Sequence, residues 1–144
     1  MNGQCIAVVS GKGGTGKTSL TAGVGTALAL SGQRVLCVDC DIGLRNLDLA
    51  LGLTDRALMD FSDVAQNRCS LESAVVSHPN VPNLYLLTAP VRMRGPAVTT
   101  LDFRLMLGKI RQQFDYCLLD APAGLGEGFR LAVCAADRCV VVTT

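Results

Sequence analysis

Gly11-Lys12-Gly13-Gly14-Thr15-Gly16-Lys17-Thr18 satisfies G-x-x-x-x-G-K-[ST] at every fixed position. An apolar run, residues 5–9, precedes it, and an Ala- and Leu-rich run, residues 18–30, follows. A Gly-rich turn between a strand and a helix points backbone N–H groups inward around phosphate oxygens. The helix N-terminus adds partial positive charge at the same place. In that setting Lys17 reaches the β- and γ-phosphates and the Thr18 hydroxyl binds Mg²⁺. The candidate nucleotide-binding residues are therefore Gly11, Lys12, Gly13, Gly14, Thr15, Gly16, Lys17, Thr18 and the adjoining Ser19.

Outward from this stretch, four more apolar runs read as strands: 34–39, 84–88, 116–120 and 138–143. They are nearly continuous in apolar residues, as strands covered on both faces are. Between them lie helical patterns over 18–30, 101–113 and 128–136. The first is closed by Ser31-Gly32. The second places Leu101, Leu105 and either Gly108 or Lys109 on one face, with Lys109 and Arg111 in its last turns. Shorter helices are expected over 58–65 and 71–76, with turn material over 78–83. The alternation predicts an α/β fold, a mostly parallel sheet with helices on both faces. No internal repeat or linker divides residues 1–144, which read as one domain.

Composition narrows the function classes. Thirteen Lys plus Arg against twelve Asp plus Glu leave a net charge of +1, which argues against a bulk basic surface for nucleic acid. With 49% hydrophobic residues, the 144-residue chain can build a core. No apolar run approaches the roughly 20 residues that span a bilayer. Seven cysteines without a secretion signal fit reduced thiols in the cytoplasm. Cys37 and Cys40 have C-x-x-C spacing, but no second pair accompanies them and His78 is distant, so a zinc site is not expected. Cys5, Cys37, Cys117 and Cys139 read as small hydrophobes in strands, and His78 as a solvated loop residue. The uncovered apolar strand at 140–142 is an expectation of truncation, because natural sheets cover or blunt such edges.

A phosphate loop needs acidic partners. Asp39 and Asp120 end the second and fourth apolar runs, and Asp41 lies just beyond the first of these. Ligands of open parallel sheets bind outside the carboxyl ends of the strands, which puts these aspartates in the crevice of the glycine loop. An aspartate after four apolar residues, as in Tyr116-Cys117-Leu118-Leu119-Asp120, has the form of a Walker-B metal partner.

These residues carry a resemblance. Lys12 ahead of Lys17 resembles the deviant Walker A box of the MinD/ParA class of ATPases, a SIMIBI-like branch of the P-loop NTPases. Val38-Asp39-Cys40-Asp41-Ile42-Gly43-Leu44-Arg45-Asn46-Leu47-Asp48-Leu49 is similar to switch I of the septum-site-determining (MinD) type. Asp120-Ala121-Pro122-Ala123-Gly124 resembles its switch II, and 141–144 the strand that follows. The resemblance covers essentially the whole chain, as the N-terminal part of a family pattern whose C-terminal portion is expected beyond it.

The resemblance implies an ATP-binding and hydrolysing homodimer that uses Mg²⁺. Lys17 would hold phosphate, and Lys12 would cross to the phosphates of the partner subunit. Asp41 would orient or activate the attacking water, making Lys12, Lys17 and Asp41 the catalytic set. Thr18, Asp39 and Asp120 would hold the metal, the aspartates through its water shell, and the Gly124 N–H would sense the γ-phosphate. It further implies MinC- and MinE-like partners, and a cytoplasmic protein that becomes peripheral on the membrane through a C-terminal amphipathic helix. Four alternatives stay open: a ParA-like DNA-partitioning ATPase, a flagellar-number regulator, an iron–sulfur scaffold of the same superfamily, and a non-hydrolysing nucleotide module.

Overall fold

A computed structural model describes residues 3–10, 16–92, 95–123 and 126–143. In chain order the elements are β1 (Gln4–Ser10), α1 (Lys17–Leu30), β2 (Val35–Asp39), α2 (Asn46–Ala50), α3 (Phe61–Ala65) and α4 (Leu71–Ala74). There follow β3 (Val76–Ser77), β4 (Leu84–Leu87), α5 (Thr100–Gln113), β5 (Tyr116–Asp120), α6 (Glu127–Ala135) and β6 (Arg138–Val142). The strands form one sheet in the order β3-β4-β2-β5-β1-β6. All neighbours are parallel except β3, which runs antiparallel to β4 at one edge.

β2 and β5 carry unbroken apolar runs because both their faces are covered, whereas β6, read from sequence as covered in the same way, is an edge strand exposed from Arg138 to Val141. Leu36, Val38, Cys117 and Leu119 join the core under α3, α5 and α6, with Phe61, Phe103, Met106 and Leu131. Their chain neighbours Val35, Cys37 and Leu118 face the opposite core, with Ala22 and Ala29 of α1 and Leu47 and Leu51 of the α2 region. Adjacent residues of a strand point to opposite faces, so β2 is wholly buried. Two edge-to-face contacts, Phe61 on Phe103 and Tyr85 on Phe114, tie α3 to α5 and β4 to the end of α5.

The structure corrects several expectations. In α5 the buried residues are Phe103, Met106, Leu107 and Ile110, while Leu101 and Leu105 are exposed. The i, i+3, i+4, i+7 spacing of that buried set is the true apolar stripe. Cys139 is exposed on the edge strand β6, whereas Cys5, Cys37 and Cys117 are buried as read. His78 is half-buried and bonded: its Nε2 meets the Leu51 carbonyl at 3.0 Å, and its Nδ1 accepts from the N–H groups of Asn80 and Val81. The helix expected from residue 58 starts at Phe61, where Asp60 caps it by accepting from the Ser62 and Asp63 N–H groups. Val76 leaves the helical pattern to pair with Leu86, and α2 forms inside the 38–49 stretch, where no helix was read.

Candidate functional site

The phosphate-loop residues Gly11, Lys12, Gly13, Gly14 and Thr15 lie outside the described residues, as does Gly124. β1 ends at Ser10, and α1 begins at Lys17 after Gly16, whose φ of 79° is the left-handed geometry that glycine adopts without a Cβ penalty. Lys17 is buried, Thr18 is half-buried and Ser19 is exposed, all on the first turn of α1.

Sheet register brings the acidic partners to this turn. Asp120 is opposite Val8 of β1 on one side and Asp39 of β2 on the other, so both aspartates end their strands at the same edge. Lys17 Nζ lies 2.5 Å from Asp120 Oδ1, and Thr18 Oγ1 donates to Asp120 Oδ2 at 2.8 Å. Thr21, which was not foreseen, packs its hydroxyl against the Lys17 carbonyl at 2.9 Å and Asp120 Oδ1 at 3.3 Å. Its signal was the i, i+4 spacing from Lys17, one turn along the same helix face.

Asp39 is fully buried and holds both ends of the next loop. Its Oδ1 accepts the Asp41 N–H at 2.8 Å and its Oδ2 the Leu47 N–H at 3.4 Å. Burial pushes its carboxyl up to about 7, against those two N–H bonds, and the nearby Asp120 and Asp48 push the same way. Asp41 is half-buried, and burial raises it too, with Lys17 pulling it down and Asp120 pushing it up. The predicted Lys17, Thr18, Asp39, Asp41 and Asp120 therefore converge on one sheet edge.

The donor set is hard oxygen: two carboxylates and a hydroxyl. Among the described residues no three His, Cys, Asp or Glu side chains form a metal cage. The hard oxygen donors suit Mg²⁺, which takes one or two protein carboxylates and completes its shell with water and substrate phosphates. The Cys37 and Cys40 thiols are buried, and burial pushes both up, Cys37 to about 12. One further contact frames the site. Gly128 of α6 lies so close to the Cys40 carbonyl that a Cβ there would sit 1.9 Å from the oxygen. A 410 Å³ hollow lined by Val64, Asp102, Leu105 and Lys109, among others, lies on the α3–α5 face and takes no part.

The chain is similar to known proteins over nearly its whole length. The chain is 44% identical over 143 residues to the septum site-determining protein MinD of Bacillus subtilis, covering 99% of this chain and 53% of that protein. It superposes on MinD in the MinC:MinD cell division complex of Aquifex aeolicus with a TM-score of 0.85 at 41% identity, over 96% of this chain and 55% of the other. On the septum site-determining MinD of Pyrococcus horikoshii, complexed with Mg-ADP, the TM-score is 0.82 at 32% identity, over 97% and 57%. The chain thus spans about half the length of the curated relatives it matches. The architecture is the P-loop NTPase fold of these structures. A family profile described as "AAA domain" matches residues 3–144, nearly the whole chain, and the protein belongs to that family.

Proposed function

We propose that this chain is an ATP-dependent dimerising switch of the septum-site-determining (MinD) type. The observation that carries the reading is the convergence of Lys17, Thr18, Asp120, Asp39 and Asp41 on the sheet edge beside the G-x-x-x-x-G-K-T stretch. Lys17 binds the β- and γ-phosphates, leaving Asp120 as it does so. Thr18 would hold Mg²⁺, with Asp120 and Asp39 acting through its water shell, and the ion would supply the charge that neutralises the phosphates. Asp41 orients the water that attacks the γ-phosphorus, giving ADP and phosphate. Lys12 reaches the phosphates of the partner subunit, where its charge acts most strongly in a closed, water-poor interface. Gly124 reads the γ-phosphate through its N–H, and loss of that phosphate releases the dimer.

The membrane and partner roles rest on the same reading. Reversible membrane association follows dimerisation, because two weak anchors held together bind far better than one. MinC- and MinE-like proteins are the partners, and ordinary turnover is slow until such a partner stimulates it. The near-neutral charge gives no support to the DNA-partitioning alternative.

Single-turnover hydrolysis of ATP tests the assignments. Lys12→Ala and Asp41→Ala should each slow the step by about a hundredfold or more, with Mg-ATP still bound. An unchanged rate in both variants would reject the catalytic roles and leave a nucleotide-binding module that does not hydrolyse.

A further inference from the structure

We propose that Thr88 is a positioning residue for the loop that carries Asp41; the proposal rests on the switch reading above. Residues 88–90 run on from β4 and meet residues 43–48 at three successive points. The Gly43 N–H donates to the Pro90 carbonyl at 3.0 Å, and Arg45 Nε to the Ala89 carbonyl at 2.8 Å. The Thr88 hydroxyl donates to the Asp48 carboxylate, 2.8 and 2.9 Å from its two oxygens. Thr88 and Asp48 are both buried, and burial pushes the Asp48 carboxyl up even with the Thr88 bond in place.

Two of these three ties end on main-chain carbonyls of the β4 extension. Only the Thr88 tie depends on a side chain of that segment. It also acts on an element too short to hold itself, because α2 is five residues long and its placement must come from tertiary contacts. Leu47, next to Asp48, gives its N–H to Asp39, whose other oxygen holds the Asp41 N–H. Thr88, Asp48, Leu47, Asp39 and Asp41 thus form one continuous set of bonds, from the end of β4 to the residue assigned to the attacking water. Without the hydroxyl, a buried carboxylate loses its side-chain donor and α2 must move or open. That displacement reaches Asp41 through Asp39, while the bonds of Lys17 and Thr18 to Asp120 do not pass through α2.

The test compares Thr88→Val, which keeps the shape, with Thr88→Ser, which keeps the hydroxyl. Amide hydrogen exchange, Mg-ATP affinity and single-turnover hydrolysis are measured on each. Thr88→Val should speed exchange at the Asp41 and Leu47 amides by about tenfold or more while β2 and β5 stay protected. It should slow hydrolysis by about tenfold, a larger factor than any loss of Mg-ATP affinity. Thr88→Ser should restore exchange and rate together. Unaltered exchange at both amides in Thr88→Val would overturn the proposal. So would a protection loss that spreads through β2 and β5 and that serine fails to restore, because Thr88 would then be a packing residue. If Thr88→Val does not fold, Thr88→Ala removes the same hydroxyl with less bulk. Failure of the wild-type chain to bind Mg-ATP would instead sink the switch reading, and the exchange comparison alone would then decide whether Thr88 holds the loop.

Discussion

Lys17 and Asp120 stand 103 positions apart in the chain, yet their charged groups meet at 2.5 Å in a site where neither side chain is more than 9% exposed. Two hydroxyls, Thr18 and Thr21, share the same carboxylate. A buried pair of this kind is weak evidence for net stability, but removing one partner strands the other charge. Lys17→Ala should therefore destabilise the chain by about 3 kcal/mol in urea unfolding. It should also weaken Mg-ATP binding by about two orders of magnitude or more, read by calorimetry. Adding Asp120→Asn should return part of the stability and none of the nucleotide binding. Normal affinity in Lys17→Ala would contradict the phosphate-loop assignment.

Glycines in the same chain give opposite expectations. A Cβ on Gly128 would overlap the Cys40 carbonyl, which is main chain and cannot turn aside. Gly128→Ala should cost about 2–4 kcal/mol and shift α6 away from β2. Gly23 lies inside α1, exposed, with nothing near its absent Cβ. Gly23→Ala should stabilise by about 0.5–1 kcal/mol, because alanine favours the helix and has less freedom to lose. Denaturant midpoints that move in the same direction for both variants would refute the packing described for α6.

Asp137 supplies the acid-side test. Burial lifts its carboxyl, but the Cys5 N–H bond at 2.8 Å and the Arg111 guanidinium outweigh that and hold it below the ordinary 3.8. A lowered carboxyl contributes stability above its unfolded pKa and loses it as pH falls through the folded one. The side chain is 41% exposed, so screening keeps the contribution under about 1 kcal/mol. Asp137→Asn should melt below wild type near pH 6, with the gap closing as the pH falls through the lowered carboxyl's range. A gap that persists unchanged in strong acid would mean that the charge contributes nothing.

Thiol labelling checks the burial pattern. Cys134 and Cys139 are exposed and should react at once with an aromatic disulfide reagent. Cys69, half-buried, should follow more slowly, and Cys5, Cys37, Cys40 and Cys117 should react only on unfolding. Rapid labelling of Cys37 or Cys40 in the folded chain would contradict the wholly buried β2.

Much of the site was legible because its determinants are local. The strand–glycine loop–helix order and the aspartates closing two apolar runs each lie within a few residues, and strand register then aligned them. The α5 face was misread from two leucines. Leu101 and Leu105 are apolar and exposed, whereas the four-residue stripe beginning at Phe103 is the one whose spacing fits a core. Thr21 could have been found by helix spacing. The Thr88–Asp48 bond could not, because it joins residues 40 positions apart and exists only once β4 lies beside β2. The turn into α2 escaped for a related reason: it passes through Arg45 at φ 52°, a conformation that tertiary bonds impose on a residue type that rarely adopts it.

The strand order also governs how the protein is made. β5 lies between β1 and β2, pairing with both, although it is translated roughly eighty residues after β2 begins. A nascent chain that has emerged only through α4 holds the glycine loop and α1, yet its first two strands have no native neighbour between them. Two apolar strands with open edges must then wait on the ribosome until residues 116–120 appear. During that interval the open strand edges are free to pair with other chains, and a pause or premature stop before Tyr116 should leave a product prone to aggregate rather than a smaller working domain.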